Sequence, residues 1–134
     1  MEGRTVDHSA LTLTQMISPQ QAGRAGVAHG GEIMKLMDTA AGIVAARHGH
    51  KDTVTASVEG INFYRPVKVY ELVAVKAHLT YVGYSSMEVR VDVFTEDILR
   101  DQLSPYCQKV EILLDCSYAS SKDSWQTIIK GIKK

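Results

Sequence analysis

The chain has 134 residues, 45% of them hydrophobic, which suits one compact domain with a modest core. Fifteen Lys plus Arg balance fifteen Asp plus Glu, so the formal net charge at neutral pH is zero. Without a global field to attract a nucleic-acid backbone or an anionic membrane, neither partner is expected, and an anionic ligand must be held by a local cluster.

Residues 1–15 mix charged and polar side chains with no continuous apolar stretch. They read as a mobile or weakly docked N-terminal arm rather than a signal peptide, and a cytoplasmic location is expected. No apolar run approaches the length that crosses a bilayer. Residues 16–28 carry Pro19, Gly23 and Gly26 and predict a loop with tight turns. After Gly30-Gly31, the positions Ile33, Leu36, Met37, Ala40, Ala41 and Val44 recur at three- and four-residue steps, predicting a helix over about 32–48. Lys35 and Asp38 interrupt it, and residues 39–46 then carry no charge. A helix apolar nearly all round must be covered on nearly all sides. Arg47 and His48 complement the helix dipole near its C-terminus, and Gly49 suits the terminating position.

Beyond the helix the apolar period falls to two. Residues 53–58 and 60–64 predict short strands, ended by Pro66. Over 72–82, Val73, Val75, Ala77, Leu79 and Tyr81 share one face, opposite Lys76, His78 and Thr80. Over 86–93, Met87, Val89, Val91 and Val93 alternate with Glu88, Arg90 and Asp92. Both read as strands with one wet and one covered face, joined by a bend at 82–85. A further strand is expected around 110–116, with Val110, Ile112 and Leu114 inward. One long apolar helix followed by antiparallel strands predicts an α+β domain whose sheet wraps around the helix. At the C-terminal end, Trp125, Ile128, Ile129 and Ile132 form one stripe of an amphipathic helix over 124–132, expected to dock on its own domain or a neighbouring subunit. Cys107 and Cys116 form no CxxC pair and read as reduced thiols. His48-Gly49-His50 offers two imidazoles with no carboxylate or thiol beside them, so no metal site is expected there.

Four blocks in order carry a resemblance. They are His29-Gly30-Gly31-Glu32-Ile33-Met34-Lys35-Leu36-Met37-Asp38 with Ala41-Gly42-Ile43-Val44-Ala45-Ala46-Arg47-His48, then Val54-Thr55-Ala56-Ser57-Val58, Ile61-Asn62-Phe63-Tyr64-Arg65-Pro66-Val67, and Tyr81-Val82-Gly83-Tyr84-Ser85-Ser86-Met87-Glu88-Val89. Together they resemble the hotdog-fold acyl-CoA thioesterases of the YciA and brain acyl-CoA hydrolase type, over about 18–96. The resemblance implies a single hotdog domain over 1–134, with a five-stranded antiparallel sheet around one central helix and a divergent tail at 119–134. It also implies a homodimer paired edge to edge, often a hexamer built as a trimer of dimers, with active sites at the dimer seam. The implied activity is hydrolysis of acyl-CoA to free acid and CoA, with Asp38 catalytic and no cofactor. The chain departs from the family pattern at Gly23, where an Asn is usual, at Tyr84, where an Arg is usual, and throughout the region after Asp97.

The chemistry fits the residues. Hydrolysing a thioester takes donors for a developing oxyanion and a base or nucleophile for the acyl carbon. The start of a helix offers free N–H groups at the positive end of its dipole, and Gly30 and Gly31 allow close approach to them. Asp38 lies about two turns on, along the stripe Gly31, Lys35, Asp38 and Gly42. It would serve as general base on water or attack directly. An ordinary i, i+3 ion pair with Lys35 is the bland reading of the same residue. His29 suits either packing at the helix start or substrate contact. Arg65, Lys68, Gly83, Ser85 and Ser86 are the candidates for holding CoA, against solvated loop positions. A non-hydrolytic acyl-CoA-binding or regulatory protein is the alternative function, because Gly23 removes one family partner. A hotdog hydratase, which would pair His29 with a nearer carboxylate, fits less well.

Overall fold

The computed structural model describes residues 6–106 and 110–115. The expected amphipathic helix over 124–132, the tail at 119–134 and both cysteines, Cys107 and Cys116, lie outside these residues.

A single turn, α1 (Val6–Ser9), leads into strand β1 (Leu11–Met16). The long helix α2 (Gly30–Gly49) follows, and then β2 (Val54–Glu59), β3 (Leu72–Val82), β4 (Ser86–Asp97), β5 (Gln102–Pro105) and β6 (Val110–Asp115). The strands form one antiparallel sheet in the order β1-β3-β4-β6-β2, and β5 pairs with β4 off that path. The five strands of the path are those of the hotdog arrangement, an α+β fold with one principal helix. The short β5 is additional, and it shares with β6 the edge of β4 that β3 leaves open.

Periodicity explains the packing. Ile33, Leu36, Met37, Ala40, Ala41 and Val44 are all buried, against Val73, Val75, Ala77 and Leu79 of β3, Met87, Val89, Val91 and Val93 of β4, and Val110, Ile112 and Leu114 of β6. Alanine at 40, 41 and 45 lets the helix backbone approach the sheet closely. The opposite side of α2 stays open within the protomer, with Gly31, Met34, Lys35, Asp38 and Thr39 exposed. Cover on nearly all sides is therefore not provided by one copy of the described chain.

Four local expectations are corrected. Much of the supposed N-terminal arm is β1, which pairs with β3 from Leu11 opposite Ala77 to Met16 opposite Leu72. Its short Leu-Thr-Leu-Thr alternation half-buries Leu11 and Leu13 and satisfies the edge of β3. Residues 60–64 form no strand. The chain leaves β2 at Gly60 with φ +38 and is tied instead by the Tyr64 amide, which donates to the Tyr106 carbonyl at 2.8 Å. Tyr81 leaves the inward face, because the pairing of β3 with β4 shifts register between Leu79 and Tyr81. Such a bulge flips later side chains, so Tyr81 is exposed and Val82 is buried. At the end of α2 the left-handed residue is His50 (φ 55, ψ 34), whose amide donates to the Ala46 carbonyl at 2.8 Å, and Gly49 is the last helical residue.

Candidate active site

The candidate site lies where the open side of α2 faces β2. Strand β2 ends the path of the sheet, so one edge pairs with β6 and the other has no strand partner among the described residues. All six of its residues are exposed. Between it and α2 lies a cavity of about 330 Å³ lined by Met34, Lys35, Met37, Asp38, Thr55, Val58, Ile61 and Ile112.

Asp38 stands on this cavity, and its Oδ1 accepts a hydrogen bond from Thr55 Oγ1 on β2. The carboxylate thus takes a hydroxyl across the helix–strand gap, rather than Lys35, as its partner. A fixed acceptor beside an apolar cavity is what a group receiving a proton from water requires. Thr55 was not singled out by sequence reasoning. It lies 17 residues from Asp38 in a strand rich in small hydroxyl residues, and only the closure of sheet on helix brings the two together.

The helix start has a distinct layout. His29 is the N-cap, extended at φ −64 and ψ 137, and its side chain makes no capping bond. Its carbonyl accepts from the Glu32 amide at 3.0 Å and the Ile33 amide at 3.4 Å. Among the described residues, the amides of Gly30 and Gly31 then remain as the unpaired donors of the first turn. The two glycines differ. A Cβ at Gly30 would lie 3.0 Å from the Phe63 ring, whereas a Cβ at Gly31 would meet nothing within 4 Å. Gly30 therefore makes room for Phe63, and Gly31 is the open approach to the amides. Phe63, also missed from sequence, packs in a tilted arrangement against the buried Tyr106 with ring centroids 5.3 Å apart. The His29 ring lies over Gly23, where a Cβ would sit 3.1 Å from Cε1. His29 itself does not line the Asp38 cavity.

The residues expected to hold CoA fall into two groups. Arg65 donates from its guanidinium to Thr95 Oγ1 near the end of β4, and the Lys68 amide donates to Glu71 Oε1 at 2.9 Å in the loop before β3. Gly83, Ser85 and Ser86 form the turn between β3 and β4, closed by the Gly83 amide on the Ser86 carbonyl at 2.8 Å. Ser86 and Thr95 are separated by most of β4, about 30 Å at the usual rise of an extended strand. One protomer does not bring both groups to the same phosphate.

A profile of the thioesterase superfamily matches residues 25–101. The chain is 36% identical over 105 residues to the cytosolic acyl coenzyme A thioester hydrolase of Rattus norvegicus, covering 78% of this chain and 28% of that protein. It is 38% identical over 94 residues to the protein VdlD of Helicobacter pylori, covering 70% of this chain and 54% of that one. The chain thus spans between about a quarter and about half the length of these curated relatives. Among solved structures, it is similar to the acyl-CoA hydrolase of Staphylococcus aureus in complex with butyryl coenzyme A, coenzyme A and coenzyme A disulfide. The TM-score is 0.80 at 25% identity, over 84% of this chain and 68% of that one. Alanine variants of that staphylococcal protein change an aspartate, an asparagine 15 residues before it and a threonine 17 residues after it.

Proposed function

This chain belongs to the thioesterase superfamily, and from that premise we propose that it hydrolyses acyl-CoA thioesters to free acid and CoA, with Asp38 activating the attacking water. The observation that carries this reading is the Asp38–Thr55 pair at the cavity between α2 and β2. Thr55 orients the carboxylate, leaving its second oxygen to accept a proton from water as that water attacks the thioester carbon. The thiolate of CoA then leaves and takes up a proton from solvent. The developing oxyanion is held by the Gly30 and Gly31 amides, a contribution of about 10²–10³ in rate per donor.

Helix geometry bears on which copy supplies those donors. Seven residues separate Gly31 from Asp38, about 10 Å along the axis at 1.5 Å per residue. One acyl carbon needs both groups within hydrogen-bonding reach. A twofold pairing through the unpaired edge of β2 would bring Asp38 of one protomer toward the helix tip of the other, and would cover the exposed side of α2. The active unit is accordingly a dimer, with both subunits contributing to each site. CoA contacts from Arg65 and Lys68 of one subunit and the Gly83, Ser85 and Ser86 turn of the other fit the same arrangement.

Purified protein assayed for thiol release across a panel of acyl-CoAs tests this. Asp38→Asn should lower kcat by about 10²–10⁴ while CoA affinity stays near wild type. Near-normal turnover in that variant excludes Asp38 as the base. A second reading, non-hydrolytic acyl-CoA binding, is favoured by Gly23 alone, because glycine stands where the family resemblance leads one to expect an asparagine. It predicts tight CoA binding with no thiol released from any chain length.

A further inference from the structure

We infer that Met37 and Ile112 form the floor that limits acyl-chain length in this site, and that the site accepts unsubstituted hydrocarbon chains of up to about ten carbons. The inference rests on the acyl-CoA reading above and adds to it the class of acyl group.

Burial orders the cavity from mouth to floor. Asp38, Thr55 and Lys35 are exposed, as are Met34 at 42% and Val58 at 37%, so these residues surround the opening. Met37 and Ile112 line the same cavity at 1% exposure each and stand at its deep end, on α2 and β6 respectively. Among the described lining residues, every polar side chain is at the mouth, where the reacting carbonyl belongs. The deep end offers an acyl tail only hydrocarbon and a thioether, so a terminal hydroxyl or carboxyl would be left without a partner. At ~30 Å³ per water-sized group, a cavity of about 330 Å³ that is open at its mouth takes at most about ten methylene-sized groups. Each methylene that fits should raise kcat/KM about fourfold, and the first that meets the floor should reverse the trend.

The test is a profile of kcat/KM by thiol release, from acetyl to palmitoyl CoA, for wild type, Met37→Ala and Ile112→Val. Affinities for the same series are measured by titration calorimetry. Wild type should peak at about eight to ten carbons. Met37→Ala, which removes Cγ, Sδ and Cε, should move the peak about two to three carbons longer, and Ile112→Val about one. Met37→Ala opens a hole in the core, so if it does not fold, the milder Ile112→Val decides. A wild-type optimum at two to four carbons, or an optimum unmoved in the folded variants, overturns the floor assignment while leaving hydrolysis standing. If no acyl-CoA releases thiol, hydrolysis fails and the affinities decide the floor. Affinity that rises with length to about ten carbons and extends further in the variants upholds it; affinity indifferent to length overturns it.

Discussion

Thr55 illustrates how one side chain can matter through another. Its hydroxyl donates to Asp38, and a hydrogen bond to a charged acceptor is worth about 1.5–3 kcal/mol. Thr55→Val keeps the shape and removes the donor. It should lower kcat about 10- to 100-fold with little change in KM, and Thr55→Ser should recover most of the loss; steady-state kinetics of the two variants checks this. The adjacent glycines of the helix tip give a second contrast. A methyl at position 30 meets the Phe63 ring at 3.0 Å, so Gly30→Ala should shift the half-exposed Phe63 ring and lower the melting temperature relative to Gly31→Ala. At position 31 the space is open, so Gly31→Ala should leave the melting temperature equal to or above wild type, since alanine favours helix. If the thioester approaches there, its kcat/KM should nevertheless fall at least tenfold. Thermal melts paired with turnover separate the two effects.

Strand β2 is weakly supported by its own protomer. Among the described residues it pairs only with β6, with a register irregularity between Thr55 and Ser57, and shows all six residues to solvent. An exposed edge with apolar Val54 and Val58 is a template for pairing with another strand. Val54→Lys places a charge at this edge, 52% exposed and outside the cavity lining. Protomer stability should change little. Sedimentation should show a shift toward monomer, and kcat/KM should fall at least 100-fold at concentrations where the variant is dissociated. Retained activity in a proven monomer would dismiss the shared site. The segment from Gly60 to Pro66 has a different task. Ile61 reaches the cavity, Phe63 covers Gly30 and Arg65 holds Thr95, so alternate residues tie it to the site, the helix tip and the sheet.

For the whole molecule, exposure on one side sets the expected behaviour. The open face of α2 and all of β2 adjoin, and they carry Met34, Val54 and Val58. If, as proposed, that surface is buried between copies, folding is linked to association and the apparent melting temperature should rise with protein concentration over a hundredfold range. A melting temperature independent of concentration, in a sample shown by sedimentation to be monomeric, would contradict the dimer. No described helix is long and apolar enough to cross a membrane.

Periodicity along the chain was enough to determine the helix, its buried positions, the main strands and the inward residues Val110, Ile112 and Leu114, because those features depend on neighbours within a few residues. The ordered blocks from His29 to Val89 likewise pointed to the superfamily. Asp38 was legible as a carboxylate interrupting an apolar helix, and Gly30-Gly31 as an amide-rich start. The pairing of β1 was not legible, since it depends on the edge that β3 offers some sixty residues later. Neither were the bulge that turns Tyr81 outward, the division of labour between Gly30 and Gly31, or the partnership of Asp38 with Thr55. Each of these is a contact between segments distant in sequence, decided only when the sheet closes over the helix.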